Sequence, residues 1–468
     1  GTPAPPETGA ALGDGAVEGA TLLALDGHAG KIEERRGLLC SDLSDAASEL
    51  RRLEVMRLSD RPGAGAGVPS PLKGETAFLD DDSWAVETFC STERKPYYQL
   101  LRAGARERLH FDPRDPASCA AIVSCGGLAA GERAATREIV QTLTRYGVAR
   151  IYGVTGGFNG LLDESKWLAL TPDKVQQHRL GGSLLKTGRG DPDHKEVAWA
   201  VKRSNIRQLF VIGGDGAMSG ALQITTALAG SGHECSCVGI PATINNDIPM
   251  VDRSLGFNTA CTIARDSLKA AYVEATCNAN CIGLVKLAGL HSGFLALEAT
   301  LAMGSVDLCL LPEMDLAMDE VLDQCEALMG ARGHAVVAVA DGCKSSFDEL
   351  AGQAENVDVG IWLRDQLLAR FKEKHKPLTV KYIDPTYTLR ASKANAYDSV
   401  YGAVMAEHAV HGALAGFTGI CVARVNERNV YMPLQAFSDV PKKRVCLSSL
   451  QFARMCFATG QPLLSRRT

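Results

Sequence analysis

The stretch 209–260 constrains this chain more than any other. An apolar run, Leu209-Phe210-Val211-Ile212, breaks into Gly213-Gly214-Asp215-Gly216. A second run, Cys237-Val238-Gly239-Ile240, stops at Pro241 and gives way to Thr243-Ile244-Asn245-Asn246-Asp247. Short apolar runs that end at Gly or Pro, with a helical pattern between them, predict a βαβ unit and a parallel sheet. Loops at the carboxyl ends of such strands are where ligands bind.

The Gly-Gly-Asp-Gly turn has a chemical reading. Glycines let the backbone approach a bulky anion. The helix start that follows offers free N–H groups and a positive dipole end. Asp215 is suited to a Mg2+ that bridges phosphates. Taken alone, the turn reads equally well as a tight loop with an exposed Asp, because short glycine motifs are weakly specific. The Thr-Ile-Asn-Asn-Asp-Ile-Pro loop tips the reading, since a buried strand end has no need of such polarity unless something polar binds there.

The rest of the chain sets limits. Its 468 residues suffice for two or three domains and a large core. A net charge of -5 argues against a nucleic-acid-binding face. No apolar run approaches the roughly 18 residues of a membrane span. The 15 cysteines show no paired Cys-x-x-Cys sets, which fits free thiols in a reducing compartment, cytoplasmic or organellar. The first residue is Gly1, so a processed or truncated start is expected. Residues 1–30 are rich in Gly, Ala and Pro and read as a linker that runs extended with few contacts. Residues 41–58 carry apolar residues at helical spacing, predicting one amphipathic helix with an exposed stripe near Leu53, Val55 and Met56. This extension, 1–96, is expected to dock a protein partner.

Beyond it the strand–glycine-turn–helix order repeats. Residues 120–124 form a predicted strand ending in Cys125-Gly126-Gly127, and 149–154 form another ending in Gly156-Gly157. Further strands are predicted at 281–287, 308–311, 334–340, 380–383 and 419–422. Helices are predicted at 134–146, 262–276 and 408–416.

These motifs closely resemble those of the 6-phosphofructokinases, and among them the plant-type ATP-dependent branch. That family's pattern is Gly-Gly-Asp-Gly, Pro-Lys-Thr-Ile-Asp-Asn-Asp-Ile-Pro and Gly-Phe-Asp-Thr-Ala. This chain has Gly213 to Gly216, Pro241 to Pro249 and Gly256-Phe257-Asn258-Thr259-Ala260. Lys286-Leu287-Ala288-Gly289-Leu290-His291-Ser292-Gly293-Phe294 resembles Lys-Leu-Met-Gly-Arg-His-Ser-Gly-Phe. The resemblance runs from about 101 to 462. It implies an α/β fold of two Rossmann-like lobes with mainly parallel sheets. The first, nucleotide-side lobe would span 97–259 and the second, sugar-phosphate-side lobe 260–468, with the chain crossing back near its end. It also implies self-association as a homo- or hetero-oligomer.

The resemblance implies roles as well. Gly127, Arg189, Gly214, Asp215, Gly216 and Ala217 match the nucleotide side. Gly216 stands where pyrophosphate-using relatives carry Asp, so ATP is the expected donor. Asp215 and Asp247 match the carboxylates around Mg2+. Thr243, Gly289, Glu313, Lys381, Tyr387 and Arg390 match the sugar-phosphate side. The departures are chemical. Asn245 replaces the proton-accepting Asp, Leu290 an Arg, and Ala242 a Lys. Lys186 stands where a Gly is usual. Glu132 brings a negative charge near the phosphates unless it turns to solvent.

An amide is not basic, so Asn245 cannot serve as the general base. The expectation is a phosphofructokinase-like protein that is catalytically inactive or severely impaired, serving as a structural or regulatory subunit. Two alternatives stay open. One is an active ATP-dependent 6-phosphofructokinase in which Asp247 takes over as base. The other is a nucleotide or sugar-phosphate sensor that binds without turnover.

Overall fold

The computed structural model describes residues 50–61, 64–88, 97–345, 347 and 357–462. The described residues from Arg51 onward form one compact unit. Its larger sheet is built from runs whose residues are buried on both faces. In Cys119–Cys125 every residue is buried, and in Ile206–Gly213 all but one are. Side chains alternate along a strand, so each run feeds two cores. Ala120, Ile122, Phe210 and Ile212 join one core with Ile139 and Met405, while Ala121, Val123, Leu209 and Val211 join the other with Val197 and Ile224.

Ten strands make up this sheet among the described residues. The middle five are parallel: Ile420–Val425, Ser236–Pro241, Ile206–Gly213, Cys119–Cys125 and Ile151–Val154. The flanks are antiparallel. Arg428–Pro433 turns back against Ile420–Val425, Tyr97–Arg102 pairs with it, Trp84–Thr88 pairs with Tyr97–Arg102, and Trp167–Ala169 closes the far edge. The parallel character expected from sequence therefore belongs to the centre of this sheet and to the whole of the second one. That second sheet holds Leu308–Leu310, His334–Ala340, Cys281–Leu287 and Thr379–Ile383, all parallel.

Two connections join the lobes. Helix Phe257–Cys277 leaves the first sheet and leads into the second. Helix Ala396–Leu414 returns, packs on helix Glu132–Tyr146, and delivers Ile420–Val425 and Arg428–Pro433 to the first sheet. Asp398 ties the two connections together. Its buried carboxylate accepts the N–H groups of Gly256 and Thr259 and the Thr259 hydroxyl.

The helix expected at 41–58 is not what the described part of that stretch forms. Leu50–Arg52 and Met56–Arg57 are strands, and Met56–Arg57 pairs antiparallel with Phe417–Thr418. The Leu53 N–H bonds the Gln99 carbonyl, and the Leu58 N–H bonds that of Gly416. Leu53 and Val55 pack against the cores, Leu58 is buried, and only Met56 of the expected stripe is exposed. The apolar residues there have partners in their own chain, which removes the basis for reading the stripe as a docking face. Residues 1–30 lie outside the described residues.

Candidate nucleotide and transfer site

Strand register assembles the site. Gly213 is the Cα partner of both Cys125 and Pro241. Three parallel strands thus end side by side, and the loops that follow each of them open on one cleft. The cavity there measures about 520 Å³. It brings together Gly127, Arg189, Gly214, Asp215, Gly216, Ala217, Thr243, Asn245 and Arg390. An adjoining cavity of about 390 Å³ is lined by Gly127, Arg189, Tyr387 and Arg390 among others. Tyr387, 84% exposed, thus stands at the nucleotide-side cleft.

The glycines of this wall divide by purpose. A Cβ on Gly127 or Gly216 would meet nothing within 4 Å, so these residues leave open space in the cleft. A Cβ on Gly213 would overlap the Cys125 carbonyl oxygen and come within 2.6 Å of the Ala217 Cβ, so that glycine serves packing. Lys186, where the resemblance has a glycine, keeps a glycine's backbone with φ of +53. Its carbonyl accepts the Gly156 N–H at 2.8 Å, which holds the loop that leads to Arg189.

Glu132 faces neither phosphates nor solvent. Its buried carboxylate accepts the Ser124 hydroxyl at 2.7 Å and the Ala129 N–H at 2.8 Å, inside the first glycine loop. Burial raises its pKa, against these hydrogen bonds. It therefore acts as a local brace for this turn.

The transfer loop is held by its backbone. The Asn245 N–H bonds the Thr243 hydroxyl, Asn246 takes φ of +54, and the Asn246 side-chain oxygen accepts the Ser254 N–H at 2.9 Å. Asn245 lies in the cleft wall, whereas Asp247 is buried and does not line the cavity. Burial and the neighbouring Asp215 raise the Asp247 pKa, with Lys442 opposing them.

The remaining expected residues sit apart. Leu290 is 45% exposed, next to Gly289 with its φ of +150. This loop touches the transfer loop where the Ser292 hydroxyl meets the Asn245 carbonyl at 3.4 Å. Glu313 accepts the N–H groups of Gly293 and, at 2.8 Å, Val445. Lys381 places its ammonium 3.6 Å from Glu274. None of Gly289, Leu290, Glu313 and Lys381 lines either of these two cavities.

Arg390 owes its place to a buried cation. It lies on helix Thr386–Ala391, whose first turn is capped by Asp384 through the Thr386 N–H at 3.0 Å. Lys286 pairs with Asp384 at 2.9 Å and with Asp358 at 2.6 Å. Burial alone would lower the Lys286 pKa, but the two carboxylates override it and raise it.

Asp215 and Asp247 are enough carboxylate for a Mg2+ carried by phosphates. One of the two is already engaged, because the Lys442 ammonium pairs with Asp215 at 2.9 Å. Among the described residues no group of three His, Cys, Asp or Glu forms a metal cluster. The residues therefore fit a resident Mg2+ poorly. Lys442 is the site residue that no motif marks. Its one sequence signal is the basic run Lys442-Lys443-Arg444.

Two α/β lobes with a glycine-walled cleft at parallel strand ends define a class of phosphate-handling folds. Comparisons narrow the class. The family profile "PFK: Phosphofructokinase" matches residues 119–413. ATP-dependent 6-phosphofructokinase 7 of Arabidopsis thaliana is 37% identical over 416 residues, covering 84% of this chain and 85% of that one. ATP-dependent 6-phosphofructokinase of Borreliella burgdorferi is 36% identical over 385 residues, covering 78% and 85%. Among solved structures, pyrophosphate-dependent phosphofructokinase from Marinobacter aquaeolei shares the fold, with TM-score 0.63, 20% identity and coverage of 75% and 92%. The chain belongs to the phosphofructokinase family.

Proposed function

We propose that this chain binds an adenine nucleotide on the glycine-lined side of its cleft and transfers phosphate very poorly, so that it serves as a regulatory or structural subunit. The observation that carries this reading is Asn245 in the cleft wall, where the family resemblance puts a proton-accepting carboxylate. The carboxylates that do line the cavity, Asp191 and Asp215, lie against His194 and Lys442. Losing a general base costs a factor of about 10²–10⁴ in rate. Losing an arginine that faces phosphate, the role that the family resemblance gives to the position of Leu290, costs roughly 10³–10⁵. Groups that act as a unit do not add, yet either loss alone leaves a weak kinase.

A second reading has specific support. The relatives are named ATP-dependent 6-phosphofructokinases at 36–37% identity, and the glycines that the resemblance assigns to the nucleotide line the cleft. On that reading the chain phosphorylates fructose 6-phosphate from ATP, and Asp247 reaches the sugar hydroxyl after a shift of the transfer loop. Calorimetry with ATP and with fructose 6-phosphate, run beside a coupled turnover assay, separates the two. Nucleotide binding with turnover at least about 10²-fold below a family enzyme supports the first. Ordinary turnover that is lost in Asp247→Asn establishes the second. Failure to bind any nucleotide rules out both.

A further inference from the structure

Asp215 opens helix Asp215–Ser231 and faces two spaces at once. It lines the main cleft, and it also lines a side cavity of about 210 Å³ with Ser219, Pro249, Phe437 and Lys442. The cleft therefore continues past Asp215 and Ser219 to the Lys442 ammonium. The Lys442 side chain is 44% exposed, but the backbone that carries it is held. Its neighbours in the chain are pinned to both lobes. The Lys443 N–H bonds the Asp247 carbonyl at 3.0 Å, and the Lys443 ammonium bonds the carbonyls of Val251 and Asp252. The Val445 N–H bonds Glu313 at 2.8 Å. The stretch thus delivers Lys442 to Asp215 from a fixed backbone.

A divalent cation at this carboxylate would meet a cation already at hydrogen-bond distance. It would have to displace the ammonium or bear its repulsion. An ammonium offers three donors to phosphate oxygens as well as to Asp215. We infer that Lys442 stands in for a resident divalent cation at Asp215, and that a nucleoside diphosphate binds this cleft without needing Mg2+, its terminal phosphate facing Lys442. The inference rests on the nucleotide-binding reading above.

The test is calorimetry of the full chain with ADP, in Mg2+ and in EDTA, for the wild type, Lys442→Met and Lys442→Arg. Wild-type affinity should differ less than about fivefold between the two conditions. Lys442→Met should weaken about tenfold or more in EDTA, the worth of one charged hydrogen bond, and regain affinity when Mg2+ is added. Lys442→Arg should follow the wild type. A wild-type loss of fivefold or more in EDTA overturns the inference, as does a Lys442→Met protein that matches the wild type in both conditions. The wild-type comparison stands even if a variant folds badly. Binding with strong Mg2+ dependence sinks this inference alone. No ADP binding in either condition sinks the nucleotide reading with it.

Discussion

The two sides of the cleft have diverged to different degrees. On the nucleotide side the groups that face the cavity are those the family resemblance calls for: Gly127, Arg189, Gly214, Asp215 and Gly216. On the transfer side the family resemblance calls for other residues at Ala242, Asn245 and Leu290. The loop at Thr243 to Asp247 is held by bonds from Asn245 to Thr243 and from Ser254 to Asn246, with Asn246 left-handed, and it presents an amide at Asn245. The contrast shows that loop shape and loop chemistry are separate constraints. Shape is enforced by packing and hydrogen bonding throughout the fold, so it persists. A fold leaves the chemistry of its site open, so a loop of this shape can carry an amide at Asn245.

Restoring chemistry is the strongest way to break this comparison. We expect Asn245→Asp alone to raise turnover by less than about tenfold, because the phosphate-facing charge is still missing. Asn245→Asp with Leu290→Arg should raise it by about 10² or more. Leu290 is exposed enough to take an arginine, whereas Ala242, at 2% exposure, has no room for the family's lysine without repacking. A coupled assay on both variants decides. Full recovery from the single change would show that the transfer side is far less damaged than the contrast implies.

The nucleotide side predicts the next largest effect. Gly216→Asp should weaken nucleotide binding by more than about 100-fold, since it places a carboxylate where phosphates come. Its stability should hold, because the added side chain enters open space at the first turn of a helix, where an acid is favoured. Calorimetry paired with a thermal melt reads both quantities. Unchanged ADP affinity would mean that the glycine wall is not the nucleotide site. Gly213→Ala is the counterpart. Overlap with Cys125 and Ala217 should cost about 1–3 kcal/mol in denaturant unfolding. Equal unfolding midpoints for Gly213→Ala and the wild type would dissolve the distinction between packing glycines and ligand glycines.

The sequence made the strands and the glycine wall legible for a shared reason. Cys281–Leu287, apolar but for Gly283 and Lys286, and His334–Ala340, apolar after His334, have sharp ends, and both form with the predicted bounds. The antiparallel flank was less legible. Arg428–Pro433, paired on both sides, mixes Arg and Asn with Val, Tyr and Met and carries no motif that separates a strand from a loop. At Leu53, Val55 and Met56, apolar residues at mixed spacing fit a helix or a strand; Met56–Arg57 pairs with Phe417–Thr418, and Leu53 and Val55 lie between two short strands. Local pattern cannot report such a distant partner. Lys442 was invisible for the same reason, because its meaning lies in Asp215, far back along the chain. Glu132 shows a further limit. Its charge was readable, but its direction was set by the Ser124 hydroxyl and the Ala129 N–H.

Lys381 supplies the smallest and most selective prediction. The family resemblance assigns it to the sugar-phosphate side. The structure puts its ammonium beside Glu274 on helix Phe257–Cys277, with both side chains well exposed. An exposed ion pair of this kind is worth about 0–1 kcal/mol. Lys381→Ala should therefore leave nucleotide affinity within about twofold and stability within about 0.5 kcal/mol. Fructose 6-phosphate is the informative ligand. If the transfer side has lost its sugar site along with its base, calorimetry should show no difference between Lys381→Ala and the wild type. A measurable wild-type affinity that falls tenfold or more in Lys381→Ala would mean that this lysine leaves Glu274 for a phosphate. The sugar side would then be kept as well as the nucleotide side, and the divergence would narrow to the reacting groups at Asn245 and Leu290.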